Sequence, residues 1–100
     1  RTSHAQELPQ YAEIEQIIDE AAARHGVSAI RLRRVAWCES RYDPRAVGRQ
    51  GEQGPFQLHP AGKLVEFYAM GYTDAFDPAQ AADFAAFQFS QGEAGAWSCR

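Results

Sequence analysis

Glu39 stands in the stretch WCESRYDP, residues 37 to 44, directly after a cysteine and two residues after a tryptophan. Leu32, Val35, Ala36 and Glu39 fall at i, i+3, i+4 and i+7, the spacing of one helix face, and that face is otherwise apolar. A carboxyl at the C-terminal end of such a stripe faces inward or into a cleft. Desolvation disfavours its charged form there, and so does the negative end of the helix dipole, so both raise its pKa. A carboxyl that stays protonated near neutral pH can act as a general acid. The structural alternative is an ion pair with Arg41 or another arginine at the helix end, or simple solvation.

A second polar group comes from GEQGPFQLHP, residues 51 to 60. Gly51 and Gly54 flank two polar residues, and Phe56, Gln57 and Leu58 follow. Glycines permit close backbone approach to a ligand, and Gln57 offers donor and acceptor to an amide or hydroxyl. Sugars bearing N-acetyl groups present those partners. Asp43, Glu52 and Asp74 are the candidates for a second carboxylate. Asp43 is explained as a turn residue before Pro44, Asp74 sits in a polar loop, and Glu52 alone lies inside the glycine-rich loop. Neither His4 nor His25 lies at ligand spacing from His59, so no metal site is expected. His59 is read instead as capping a helix or edging a cleft. Tyr42, Tyr68 and Trp97 can stack on sugar rings or pack in the core, and Trp97 is assigned to the core.

Four helical segments must position these groups. Pro9 is placed in the first turn of a helix that carries Ile14, Ile17, Ile18, Ala21 and Ala22 at helical spacing and ends at Gly26. Ser28 is the predicted N-cap of a second helix, which runs to about Arg41 and stops before Asp43-Pro44. Residues 44 to 57 form a loop with room for a short hairpin. Pro60 is expected to open a third helix through Leu64, Val65 and Tyr68, closed by Gly71. Asp77-Pro78 is a cap followed by an N1 proline, and the helix after it presents Ala81, Ala82, Phe84, Ala85 and Phe89.

The 100 residues suit one domain with a single modest core. Net charge is -3 without a block of like charge; Arg31, Arg33, Arg34 and Arg41 read as a solvated helix face, so no nucleic-acid partner is expected. No apolar run approaches the roughly 18 residues of a membrane span, and no cofactor motif appears. Beginning at Arg1, the chain reads as a processed protein or an excised domain. Cys38 and Cys99, 61 positions apart, match no CxxC-type motif. They are either two buried thiols or one disulfide joining the tail to the middle of the chain.

Together these features resemble the lysozyme-like lytic transglycosylases, which include the soluble lytic transglycosylases and goose-type lysozymes. The resemblance rests on Glu39-Ser40 ending a helix, the DPRAV that follows at 43 to 47, and G-x-x-G-x-x-Q at Gly51, Gly54 and Gln57 with Pro60 three residues on. It implies a mainly α, lysozyme-like α+β fold with Glu39 as catalytic acid and base. Ser40, Gly54, Phe56 and Gln57 would form the substrate-binding groove. The small resuscitation-promoting-factor type of wall-lytic domain is more similar still, because Cys38-Glu39-Ser40 and the tail Gly95-Ala96-Trp97-Ser98-Cys99 match its pattern. That similarity implies a Cys38–Cys99 disulfide with Trp97 packed against it, and an oxidising compartment. The resemblance covers about residues 10 to 99. The chain departs from the family pattern at Pro55, at Gln80-Ala81 where an asparagine is usual, and at Ala85-Ala86-Phe87-Gln88, which lacks a tyrosine hydroxyl.

The implied partner is a peptidoglycan glycan strand, cut between N-acetylmuramic acid and N-acetylglucosamine without cofactor or metal. The implied protein is a monomer or a domain of a larger one, secreted, periplasmic or virion-associated. A lytic transglycosylase manages with one carboxylate, whereas a hydrolytic muramidase uses two. The rivals are a non-catalytic wall-binding or structural module of a secretion or phage-tail assembly, and a small helical interaction domain.

Overall fold

A computed structural model of the protein describes the backbone of residues 4–99 and the side chains of residues 10–99. Four α-helices follow in order: α1 (His4–His25), α2 (Ala29–Ser40), α3 (Lys63–Ala69) and α4 (Pro78–Ser90), with a 3-10 turn at Ala94–Ala96. This is the small, mainly helical lysozyme-like domain that the sequence implied. α1 packs on both α2 and α4. No helix among the described residues is long and apolar enough to cross a membrane.

Local chemistry sets most helix ends where the sequence placed them. Gly26 takes a left-handed φ of 67° after α1, and the Val27 N–H reaches the Ala22 carbonyl at 3.0 Å to close the helix. Ser28 accepts the Arg31 N–H at 3.2 Å and starts α2. Asp77 accepts the Ala79 N–H at 3.2 Å, with Pro78 at the first helical position of α4. Two starts differ from expectation. Pro9 lies inside α1 rather than opening it; a proline so near the N-terminus removes one backbone hydrogen bond and leaves the later turns intact. The side chain of His4 falls outside the described residues. Pro60 does not open α3, because the His59 ring takes the Ala61 N–H at 3.0 Å and holds residues 59–62 in a turn. The helix starts only at Lys63.

The core gathers the stripes of all four helices: Ile14, Ile18, Ala21 and Ala22 from α1, Leu32, Val35 and Ala36 from α2, Leu64 and Phe67 from α3. α4 contributes Ala81, Ala82, Phe84, Ala85, Ala86 and Phe89. Phe67 stacks on Tyr72 at 4.9 Å and meets Phe84 edge-on at 5.3 Å, while Val65 and Tyr68 are exposed on the opposite face of α3. Arg31, Arg34 and Arg41 are exposed, as the sequence implied, and Arg33 is partly covered. Arg33 forms a bidentate pair with Asp19, with its Nε at 2.8 Å, and Arg31 lies over the Phe89 ring at 5.3 Å.

Two polar clusters tie the helices together. Asp83 of α4 accepts from Tyr72 at 2.6 Å and from Arg24 at 3.1 Å, and bonds the His25 ring at 2.8 Å. Burial alone would raise its pKa, yet the hydrogen bonds from Tyr72, His25 and Arg24 hold it below the usual carboxylate value. Lys63, at the start of α3, donates to Gln88 at 2.7 Å and pairs with Glu66 and Glu93 at 3.0 and 3.1 Å. Three oxygens match its three hydrogens, so this ammonium is a strut between α3, α4 and the tail.

Candidate active site

The C-terminal end of α2 is shaped by two successive residues of positive φ, Arg41 at 56° and Tyr42 at 62°. Non-glycine residues adopt this region at a cost of order 1–3 kcal/mol each, so the surroundings must hold them there. Tyr42 is buried and donates its hydroxyl to Glu15 at 2.9 Å, which pins the turn to α1. Burial, then that hydrogen bond and the Glu15 charge, push the Tyr42 pKa up to about 12. Ser40 anchors the other side: its hydroxyl lies 3.0 Å from the Ala36 carbonyl and 2.8 Å from that of Pro55. The chain therefore turns sharply just past Glu39, and the 44–62 loop is drawn up beside it.

That loop contains isolated antiparallel bridges, Val47 with Gln53 and Gln53 with Leu58, in place of a full hairpin. Among the glycines, Gly54 permits the closest approach of another backbone segment. Its φ is 80°, and a Cβ there would sit 2.8 Å from the Ala75 carbonyl carbon. Phe56 is 1% exposed and packs on Trp97. Trp97 in turn contacts Phe89 at 5.7 Å and donates its indole N–H to the Phe56 carbonyl at 2.8 Å. The Cys38–Cys99 disulfide, with Cα atoms 5.8 Å apart, secures the tail to α2 one residue before Glu39. The tail thus becomes a wall of the site.

The result is an open groove of about 440 Å³, lined by Glu39, Glu52 and Gln57, by His59, Lys63 and Glu66, and by the tail from Ala96 to Ser98. A wider hollow of about 550 Å³ between α1 and the 42–45 turn does not include Glu39. Glu39 is half-buried at the groove and its pKa is raised, first by desolvation and further by the charge of Glu52. The Cys99 backbone N–H opposes this rise. Among the described residues no arginine pairs with Glu39; Arg41 lies over the Trp37 ring at 5.2 Å. A half-buried carboxyl of raised pKa in a groove can hold a proton and release it to a bound oxygen.

The remaining expected groove residues divide. Gln57 lines the groove at φ 51°, but its amide N–H groups go to the Ala46 and Gly54 carbonyls at 3.1 and 2.9 Å, so its oxygen is the group available to a ligand. Ser40, Gly54 and Phe56 do not line it. Ser40 is turned to the two carbonyls, and Gly54 and Phe56 are buried beneath it. His59 both edges the groove and caps the turn before α3. Of the three aromatic candidates, Tyr42 and Trp97 are core residues and Tyr68 is exposed. Lys63 and Glu66 were missed by sequence reasoning. Their i,i+3 spacing on α3 was visible, but nothing in it says which face borders a groove.

A small helical domain with a half-buried glutamate at a helix end, walled by a glycine-rich loop and a disulfide-held tail, is consistent with a lysozyme-like domain. Residues 16–94 match the Transglycosylase SLT domain family, and the chain belongs to that family. Its activity is therefore of the peptidoglycan lytic transglycosylase type, exerted on the cell wall outside the cytoplasm. The match ends short of Trp97 and Cys99. A search of curated proteins found no significant match.

Proposed function

We propose that the domain cleaves the β-1,4 bond between N-acetylmuramic acid and N-acetylglucosamine as a lytic transglycosylase, with Glu39 as its one proton-transfer group. Glu39 protonates the leaving glycosidic oxygen as the C1–O bond breaks. The substrate's own N-acetyl oxygen stabilises the anomeric carbon. The Glu39 carboxylate then takes the proton from the muramic C6 hydroxyl, whose oxygen bonds C1 and closes a 1,6-anhydro ring. The observation that carries this reading is that, of the glutamates lining the open groove, Glu39 is half-buried, has no arginine partner among the described residues and is raised in pKa. A raised pKa serves both steps, because the acid keeps its proton longer and its conjugate base is stronger.

Gln57 supplies a hydrogen-bond acceptor for an N-acetyl N–H or sugar hydroxyl. Ser40, Gly54 and Phe56 support the site from below by fixing the loop that carries Gln57. The disulfide fits action in an oxidising, extracytoplasmic compartment, as a monomer or as one domain of a longer protein. Mass spectrometry of the soluble products from purified peptidoglycan tests the proposal. Anhydro-muropeptides support it, reducing-end products assign a hydrolytic muramidase, and no release assigns a binding or structural module.

A further inference from the structure

Glu52 lines the groove and has no part in the chemistry just described. Its position is built. The Gly48 N–H donates to the Glu52 carbonyl at 2.8 Å, and Gly51, at φ 87°, donates to the Gly48 carbonyl at 3.1 Å, so residues 48–52 form a tight turn. The side chain folds back onto that turn, and Oε1 accepts the Gln50 N–H at 2.8 Å. Gly48 leaves the room this requires. A Cβ there would fall 2.9 Å from Glu52 Cδ and 2.7 Å from Gln57 Oε1. The carboxylate and the groove amide oxygen therefore lie side by side over one glycine.

We propose that Glu52 is an electrostatic catalytic group: a fixed carboxylate in the same groove as Glu39 that stabilises the positive charge developing on the muramic sugar. This rests on the transglycosylase reading of the site. When Glu39 gives up its proton and the glycosidic bond breaks, positive charge spreads over C1, the ring oxygen and the N-acetyl group. Glu52 forms no bond to the sugar and moves no proton; its charge is already in place and needs no reorganisation as the sugar becomes cationic. The environment separates the two carboxyls into an acid and an anion. Glu52 is held below the usual value by its own and the Gln50 backbone N–H groups and by the His59 ring, while its charge helps keep Glu39 protonated. The other charged groups at the groove are Lys63 and Glu66 of α3; Lys63 pairs with Glu66 and also with Glu93 of the tail.

Glu52→Gln tests this, because the amide oxygen can still accept the Gln50 N–H and the turn survives. The expected result is unchanged thermal stability and a kcat on purified peptidoglycan lower by about ten- to a hundredfold. That lies below the roughly 10²- to 10³-fold typical of a closed site, because this groove is open to water. A carboxyl ¹³C NMR titration should show the Glu39 midpoint moving to lower pH, since a neighbouring negative charge is gone. Glu52→Asp, which keeps the charge, should recover part of the lost kcat, whereas loss of a turn contact alone would not be rescued by charge. Wild-type turnover in Glu52→Gln overturns the proposal. So does a wild-type enzyme whose reducing-end products vanish in the variant, which would make Glu52 the base for water. If wild type yields anhydro products and Glu39→Gln does not, the transglycosylase reading stands whichever way Glu52 falls.

Discussion

Replacing both cysteines, Cys38→Ser with Cys99→Ser, should remove a large part of the domain's stability. The bridge joins positions 61 apart, and the loop-closure entropy of a chain loop of that length corresponds to about 4 kcal/mol at 25 °C. A domain of this size has a total of roughly 5–15 kcal/mol. At the entropy of unfolding usual for about 100 residues, 4 kcal/mol lowers Tm by about 20 °C. The consequence for the site follows from what the tail carries. Trp97 stays attracted to Phe56 and Phe89, but the Cys99 N–H that faces Glu39 loses its anchor. Urea unfolding and thermal melts of the double serine variant measure the first effect, and turnover at a temperature where both proteins are folded measures the second. A variant melting within about 4 °C of wild type would refute the entropic reasoning.

Two further outcomes follow from the packing. Gly54→Ala places a methyl against the Ala75 carbonyl at a left-handed φ, and should lower stability by roughly 3 kcal/mol or more in chemical denaturation; a loss under 1 kcal/mol would show that the loop can move off the 75 segment. Asp83→Asn should lower stability at pH 7 by about 2 kcal/mol, the worth of hydrogen bonds to a charged group. Because the folded pKa of Asp83 is depressed, its stabilisation is present above the unfolded value near 4 and disappears as pH falls through the folded one. The gap between wild type and Asp83→Asn should therefore close below pH ~4, and a gap constant down to pH ~2 would contradict it. Tyr72 works in the opposite sense. Burial first, then Asp83, raises it to about 12, so its contribution is lost only at strongly alkaline pH.

Legibility in the sequence followed the range of the interaction. Ser28, Asp77-Pro78 and Gly26 act within three or four residues, and each ends or starts its helix where the sequence put it. The stripe Leu32, Val35, Ala36 and Glu39 survives because helix periodicity fixes which side chains share a face. The buried face of α3 was not legible, because over seven residues Val65 and Tyr68 look as apolar as Leu64 and Phe67, and only packing against α4 chooses between them. Ser40 lies at the expected place with its hydroxyl engaged elsewhere, since the Pro55 carbonyl is brought to it by a loop 15 residues on. The left-handed pair Arg41 and Tyr42 carries no residue signature, because the Glu15 contact and burial hold it there. The side-by-side placement of Glu52 and Gln57 over Gly48 likewise depends on a turn whose shape no single residue announces.

Lysis of purified peptidoglycan by Glu39→Gln tests the central claim most directly. The amide keeps the size of the side chain and removes the transferable proton, so the rate should fall on the order of 10²- to 10⁴-fold, or further because one group serves both steps. Stability moves the other way. Glu39 has a raised folded pKa, so ionisation at neutral pH disfavours the fold, and the amide should hold or raise Tm at pH 7 with the difference vanishing below pH ~4. Binding to insoluble wall should persist. Loss of lysis with retained fold and binding is the expected result; lysis at the wild-type rate would show that Glu39 is not the acid.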